Sequence, residues 1–356
     1  MSVLFVTPTF ETGVHGGVQM SAKLAWEALR ESVSGGRAEL LAYGNAAGGS
    51  TVPSKISFLS RAARLRTGFD LILFWHIGLV KALSMMNTRA ARVMVFLHGI
   101  EAWSSLDGIT ARLLEGTHLF LTNSDHTWRR FISSNPRFAN YPHQTVPLGI
   151  GSPVDQPVPQ PGVPPAALML GRLERRENYK GHIETIQAWP LVLASEPNAE
   201  LWIAGDGNLL ADLKESVRRI GVEDSVKFFG TVSEKRKQEL LVASRCLALP
   251  SRGEGFGLVY LEAMRLGRPC LVSTSDAGRE VTNPPEAGMA VDVGDSAAIA
   301  ASLATLLRSD SAWPAWSVNA RLRYETRFTA NHFKQRLVAA CLPPARDPLA
   351  SAALAG

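Results

Sequence analysis

The chain has 356 residues, a length that favours two domains over one and excludes a lone small binding module. Hydrophobic residues make up 46% and charged residues 19%, which excludes a disordered or fibrous protein and supplies apolar material for packed cores. The 37 basic and 32 acidic residues leave +5, a balance that suits a membrane-facing protein and falls short of a dedicated nucleic-acid binder. The excess is local. Residues 1–160 hold 14 basic and 10 acidic side chains, 161–325 hold 19 and 21, and 326–356 hold 4 and 1. The flanks are basic and the middle is slightly acidic.

In chain order, the apolar run at 3–6 predicts a strand rather than a leader peptide, because no basic segment precedes it and it is too short. Helical-period segments at 18–31, 54–66 and 125–133 then alternate with apolar, β-branched runs at 39–43, 71–75, 92–97 and 118–122. That rhythm predicts a parallel α/β sheet. The greasy stretch 69–86 is interrupted by Asp70, His76 and Lys81 and fails the criterion for a membrane-crossing helix. A cytoplasmic protein is expected, with any membrane contact peripheral. In the 54–66 segment Phe58, Leu59, Ala62 and Leu65 share one face, with Lys55, Arg61, Arg64 and Arg66 largely away from it. It reads as an ordinary helix with a solvated face, or as a contact for anionic membrane or a lipid-diphosphate acceptor.

Seven of the 21 prolines fall within residues 147–165, which predicts an interdomain linker at 151–166. The strand rhythm restarts at 167–170 and continues at 201–204, 226–229, 247–249 and 270–273. Three helical segments follow Asp295, the last at 329–341, and a Pro/Ala-rich tail at 343–356 is expected to be weakly ordered. The expected architecture is α/β: two Rossmann-like, doubly wound domains at 1–150 and 167–325, facing each other across a cleft at the carboxyl ends of both strand sets. Cys246, Cys270 and Cys341 lack metal or CxxC spacing and are expected to be free thiols, most of them buried.

The strongest chemical signal is the stretch from Pro250 to Met264, which follows a buried strand and opens a helix. Gly253, Gly255 and Gly257 let backbone N–H groups approach an anion at the positive end of that helix, a site suited to a diphosphate. Glu254 in the loop and Glu262 a turn into the helix would stand at different depths along one ligand, where carboxylates accept from sugar or ribose hydroxyls. The plainer reading makes Glu254 a helix cap and Glu262 a surface residue. A second cluster, Arg172, Arg175, Arg176 and Lys180, crowds the segment 170–182 and forms either a diphosphate clamp or a solvated loop balanced by Glu174 and Glu177. Gly16-Gly17 follows the first strand and precedes the helix at Val18, Gly205-Asp206-Gly207 ends a strand, and neither matches a dinucleotide fingerprint. His98-Gly99 follows the strand at 92–97. Asp206 and Asp276 stand singly, so no metal-ligand cluster is read, and there is neither a nucleophile elbow nor a Walker loop.

These residues carry a likeness. The chain resembles the retaining glycosyltransferases of family 4, which have the GT-B fold, and among them the bacterial exopolysaccharide glycosyltransferases. The likeness runs from Gly16-Gly17 to the helix near Cys341, and its specific part is the Glu254 to Glu262 stretch. Gly171-Arg172, Lys180-Gly181-His182, Gly205-Asp206-Gly207 and His98-Gly99 support it.

The resemblance implies that Arg172 and Lys180 grip the diphosphate of a nucleotide sugar, although they stand eight positions apart where about five is common, with Arg175 and Arg176 between them. It implies that Glu262 holds the ribose and Glu254 the donor sugar. Gly255, Phe256, Gly257 and Leu258 would contact sugar or distal phosphate, Gly17 and Gly205 would line the donor site, and His98 would sit near the reacting face. It further implies an acceptor-binding N-terminal domain with a returning helix at 326–342. The activity implied is retaining transfer of a hexose from GDP-mannose or a UDP-sugar to a saccharide or lipid-linked saccharide in polysaccharide or glycoconjugate biosynthesis. No cofactor and no essential metal are expected, since Arg172, Lys180 and the helix N-terminus would take up charge on the leaving diphosphate. Nucleic acid is not an expected partner, and contact with an anionic membrane surface stays open. A nucleotide-sugar epimerase, a sugar phosphorylase and a non-catalytic nucleotide-sugar-binding partner of the same fold stay open.

Overall fold

A computed structural model describes residues 1–8, 17–33, 35–44, 52–65, 68–87, 89–308 and 312–342, with only the backbone given at 52–54 and 178. Gly16, Arg66 and the tail at 343–356 lie outside the described residues. The chain divides into two units, 1–149 with 330–356, and 150–329.

The first unit runs β1 (Ser2–Pro8), α1 (Gly17–Ser32), β2 (Arg37–Tyr43), α2 (Val52–Arg64), β3 (Phe69–Phe74), β4 (Ala90–Leu97), α3 (Gly108–Leu114), β5 (Leu119–Thr122), α4 (Asp125–Ser134) and β6 (His143–Thr145). The strands pair in parallel in the order β2-β1-β3-β4-β5-β6, so the order reverses between β1 and β3. Burial explains the composition: β1 and β3 are almost wholly covered and read as continuous hydrophobic runs, as parallel strands do. Phe58 and Ala62 of α2 enter this core, and Phe58 meets Tyr43 edge-on at 5.2 Å, while Lys55, Arg61 and Arg64 stay exposed.

The second unit runs β7 (Ala166–Leu170), α5 (His182–Ser195), β8 (Glu200–Ala204), α6 (Leu210–Ile220), β9 (Val226–Gly230), α7 (Glu234–Ala243), β10 (Cys246–Ala248), α8 (Leu258–Arg265), β11 (Cys270–Ser273), α9 (Gly278–Thr282), β12 (Gly288–Val291), α10 (Ser296–Leu307) and α11 (Trp313–Arg327). Its parallel order is β12-β11-β10-β7-β8-β9, with the reversal between β10 and β7. The proline-rich stretch is fastened to this unit: Arg268 donates to Pro159 O at 2.7 Å, Arg321 to Val154 O at 2.8 Å and the Tyr324 hydroxyl to Ile150 O at 2.7 Å.

Phe328 and Thr329 also stay with the second unit, and the last helix, α12 (Ala330–Cys341), packs on α1 in the first. Lys334 reaches Glu27 at 3.0 Å, and Arg92 donates to Cys341 O at 2.6 Å. All three cysteines are buried free thiols.

Among the elements that the sequence does not predict are α3, α9, β6, β12 and a 3₁₀ segment at Ile77–Met85. Both β6 and β12 are edge strands; β6 reads His-Gln-Thr with no apolar run, and β12 opens on glycine with only the short run Met289-Ala290-Val291 behind it.

Candidate functional site

In an open parallel sheet, ligands bind beyond the carboxyl ends of the strands where the strand order reverses. In the second unit that point lies between β7 and β10, and the two segments read as chemically active leave from those two strands. They are stitched together. Arg252 N–H donates to Tyr179 O at 2.7 Å, and Arg252 pairs with Glu184 of α5 at 2.5 Å. Gly181 sits at φ +80 where a Cβ would stand 2.4 Å from Pro250 O, so only glycine brings the two segments this close.

The stitching gathers four charges. Arg172 Nη2 lies 2.5 Å from Glu177 Oε1, and Lys180 Nζ lies 3.8 Å from Glu177 Oε2 and 3.7 Å from Glu254 Oε1. Lys180, Glu177 and Glu254 are mostly covered, whereas the Arg172 side chain is 70% exposed. Arg175 is turned elsewhere: its guanidinium makes a two-point contact with Asp212 of α6, at 2.8 and 2.9 Å. Of the crowded cations, then, Arg172 and Lys180 stand together and Arg175 does not join them.

Gly257 is the N-cap residue of α8 with no side-chain cap, so Glu254 is not the cap of that helix. Phe256 is buried, meeting Phe328 edge-on at 6.1 Å, and Leu258 opens the helix. Gly255 lies in the loop before it. The first N–H groups of α8 and its dipole make this end favourable to an anion. Glu262, one turn further in, pairs with Lys237 of α7 at 2.9 Å, and Lys237 also reaches Glu234 at 2.9 Å. Burial pushes the Glu262 carboxyl above its ordinary range against the opposing pull of Lys237. Burial acts against the Lys237 charge too, but Glu262 and Glu234 outweigh it and raise that ammonium. The sequence reading missed Lys237; its only trace is a basic run, Lys235-Arg236-Lys237, of the kind common on any solvated helix.

Gly205 directly follows β8 at φ +149, and a Cβ there would stand 1.8 Å from Gly171 O. Asp276, read as a lone candidate ligand, accepts from Glu254 N–H at 3.2 Å and Gly278 N–H at 2.9 Å. Burial raises its carboxyl to about 7.

His98 and Gly17 belong to the first unit. Gly17 is the exposed first residue of α1. His98 is buried, with Nε2 2.7 Å from Trp75 O. A carbonyl only accepts, so Nε2 carries the proton and donates it, and burial lowers the ring's pKa to about 4, which favours the neutral form. Trp75 and Phe96 flank the ring at 5.1 and 4.6 Å. The first unit also holds a pocket of about 610 Å³ at the carboxyl ends of β1, β2 and β3, with Val18, Phe58 and Leu79 among its walls and Lys55, His76 and Lys81 among its polar groups.

Among the described residues, no three His, Cys, Asp or Glu side chains cluster as metal ligands, and no helix is long and apolar enough to cross a membrane.

A family model described as Glycosyl transferases group 1 matches residues 164–309, the stretch that carries the charge cluster. This stretch belongs to the group 1 glycosyl transferases. The chain resembles a GDP-mannose-dependent monoacylated alpha-(1-6)-phosphatidylinositol monomannoside mannosyltransferase of Corynebacterium glutamicum, with 28% identity over 70% of this chain and 69% of that one. It also resembles a phosphatidyl-myo-inositol mannosyltransferase of Mycobacterium leprae, 33% identical over 50% of this chain and 42% of the relative, so this match spans less than half of that protein. Among solved structures, Anabaena HepE in complex with UDP and glucose superposes with a TM-score of 0.70 at 16% identity, covering 96% of this chain and 99% of that one. Sucrose-phosphate synthase from Thermosynechococcus elongatus gives 0.72 at 16% identity over the full length of both. The chain has the GT-B fold of two Rossmann-like domains.

Proposed function

We propose that the protein transfers a hexose, with retention of anomeric configuration, from a nucleoside-diphosphate sugar (GDP-mannose or a UDP-sugar) to a saccharide or lipid-linked saccharide acceptor. The carrying observation is the cluster Arg172, Glu177, Lys180 and Glu254 at the β7/β10 reversal, beside the N-terminus of α8. Two cations and a helix dipole there suit a diphosphate, and Glu262 further along α8 suits the ribose. Relatives named as mannosyltransferases support the reaction class.

The chemistry follows from charge development. As the bond from the anomeric carbon to the diphosphate lengthens, negative charge grows on the leaving oxygen, where Arg172, Lys180 and the α8 N–H groups stabilise it more than they stabilise the ground state. The leaving phosphate accepts the acceptor hydroxyl's proton on the face it vacates, so retention needs no protein nucleophile, unlike the two-carboxylate geometry of retaining glycosidases. Glu254 orients the donor sugar. Neutral His98 accepts rather than donates, through Nδ1. Gly17, Gly205, Gly255, Phe256, Gly257 and Leu258 shape the donor site through their backbones. Charge neutralisation by Arg172, Lys180 and α8 supports a reaction without an essential metal.

The pocket of the first unit is our candidate for the acceptor. Its walls of Val18, Phe58 and Leu79 suit an apolar chain, and Lys55 suits an anionic head. Exposed Lys55, Ile56 and Arg61 on α2 suit peripheral contact with an anionic membrane from the cytoplasm. The test is a melting-temperature screen of UDP-, GDP- and ADP-sugars, followed by transfer from the stabilising donor to lipid-linked and free saccharides with and without EDTA, the product's anomeric configuration being read by NMR. Stabilisation by no sugar nucleotide would sink the reading, and an inverted product or an EDTA-sensitive rate would sink its mechanism.

A further inference from the structure

Both backbone groups of Glu254 are held by two consecutive residues of the turn between β11 and α9. Asp276 Oδ2 accepts the Glu254 N–H at 3.2 Å, and the Ala277 N–H donates to Glu254 O at 3.2 Å. The other oxygen of Asp276 accepts the Gly278 N–H at 2.9 Å, and the Ser251 hydroxyl bonds to the same carboxyl. Asp276 is only 3% exposed. Glu254 is therefore clasped at its main chain from one side while Lys180 meets its side chain from the other.

A buried carboxylate next to a second carboxylate is an expensive choice if the aim is only to satisfy one N–H, since a neutral acceptor would do that without like-charge repulsion. What the ionised carboxyl adds is acceptance at both oxygens at once. An amide must turn its NH₂ toward one of the two N–H groups, and a protonated carboxyl accepts more weakly at its O–H oxygen. Resting on the role proposed for Glu254, we propose that Asp276 is a positioning residue for the transfer: its ionised carboxyl fixes the Glu254 backbone so that the Glu254 side chain meets the donor sugar in the reactive geometry.

The groups facing Asp276 are Glu254 and Ser251 of the 249–257 loop, the Tyr260 hydroxyl of α8, and the Gly278 N–H at the start of α9. Burial first, then the Glu254 charge, raise the Asp276 carboxyl to about 7, against the lowering by its N–H and hydroxyl donors. The clasp thus loosens as pH falls through neutrality.

The experiment compares wild type with Asp276→Asn over pH 6 to 8.5, measuring kcat, the donor KM and amide exchange at Glu254. The wild-type kcat should rise through pH about 7. The variant should lose this limb and about 10–100-fold in kcat, the scale of a small misplacement at a reacting centre. Its donor KM should change little, and its Glu254 amide should exchange faster. A variant with wild-type kcat and an unchanged pH profile overturns the inference. So does a wild-type kcat that is flat across this range, a result that needs no variant and decides the matter even if Asp276→Asn does not fold. Failure of wild type to turn over any sugar nucleotide would instead sink the proposed function, while Glu254 amide exchange would still report on the clasp.

Discussion

Lys180 Nζ lies 3.7 Å from Glu254 Oε1 and is shared with Glu177, so one mostly covered ammonium joins two carboxylates carried by segments from neighbouring strands. With Arg172 on Glu177, the cluster holds two cations and two carboxylates and is close to neutral before a ligand arrives. A diphosphate entering it gains most from the two cations.

Lys180→Ala and Arg172→Ala should each raise the dissociation constant of the donor by about 10–100-fold, the value of one charge-assisted hydrogen bond of roughly 1.5–3 kcal/mol. Arg175→Ala should leave it within about twofold, because that guanidinium is held on Asp212. Titration calorimetry with the nucleoside diphosphate separates the three. Equal losses in all of them would mean that the loop's total charge matters, not the paired geometry.

Glu254→Gln should remove nearly all transfer while the nucleoside diphosphate, which lacks the sugar, still binds within about threefold of wild type. An interaction made mainly with the sugar in the transition state lowers kcat and kcat/KM together. Intact turnover in this variant would refute the role given to Glu254.

The α/β rhythm was legible because parallel strands buried on both faces are continuous apolar runs, as β1 and β7 are. The Glu254 to Glu262 stretch was legible because glycines at a strand-to-helix turn have few other uses. Other features depend on distant chain segments. Arg172, Arg175 and Lys180 look alike in a basic run, and only the position of Asp212 on α6 draws Arg175 away. Lys237 meets Glu262 across 25 residues of sequence, and nothing in Ser275-Asp276-Ala277 announces a carboxylate turned back onto a backbone amide. Edge strands such as β6 carry no apolar signal at all.

Glu262 and Lys237 test the ribose assignment. If Glu262 accepts from a ribose hydroxyl, Glu262→Ala should weaken the ribonucleoside diphosphate by about tenfold, and the ratio of its affinity to that of the 2′-deoxy analogue should fall toward one. Lys237→Ala, which leaves Glu262 buried without its partner, should shift in the same direction. An unchanged ratio in both variants would move ribose recognition elsewhere.

His98 and His182 are buried, and burial lowers each to about 4 from an ordinary value near 6.5; for His182 the Lys180 charge adds to the effect. The folded pKa is the lower one, so the unfolded chain binds more protons between these values. Stability from this source is complete above pH about 6.5 and is lost as pH falls through 4, by roughly 3 kcal/mol per residue. Asp276 acts oppositely: its folded pKa of about 7 is the higher one, so stability from it is complete below about 3.9 and is lost as pH rises through 7. Among the described residues, His182 has no hydrogen-bond partner at either ring nitrogen. His182→Leu should therefore flatten the fall in urea midpoint between pH 6.5 and 4.5, and an unaltered slope would show that His182 does not carry it.

Gly205→Ala tests how closely β7 and β8 must end for the site to form. A Cβ there would stand 1.8 Å from Gly171 O, and because that atom is backbone, it cannot swing aside. Gly171 N–H also donates to Ala204 O at 3.1 Å, so the two strand ends have to part for the methyl to fit. Overpacking of this kind costs about 1–3 kcal/mol. The displacement acts on the residue just before Arg172, so donor affinity should fall together with the melting temperature. Gly221→Ala supplies the comparison: at φ +79 with nothing within 4 Å of the added atom, it should cost only the left-handed strain of about 1–2 kcal/mol and leave donor affinity unchanged. Parallel losses of affinity in both variants would show that general destabilisation, not the approach of Gly205 to Gly171, sets the position of Arg172.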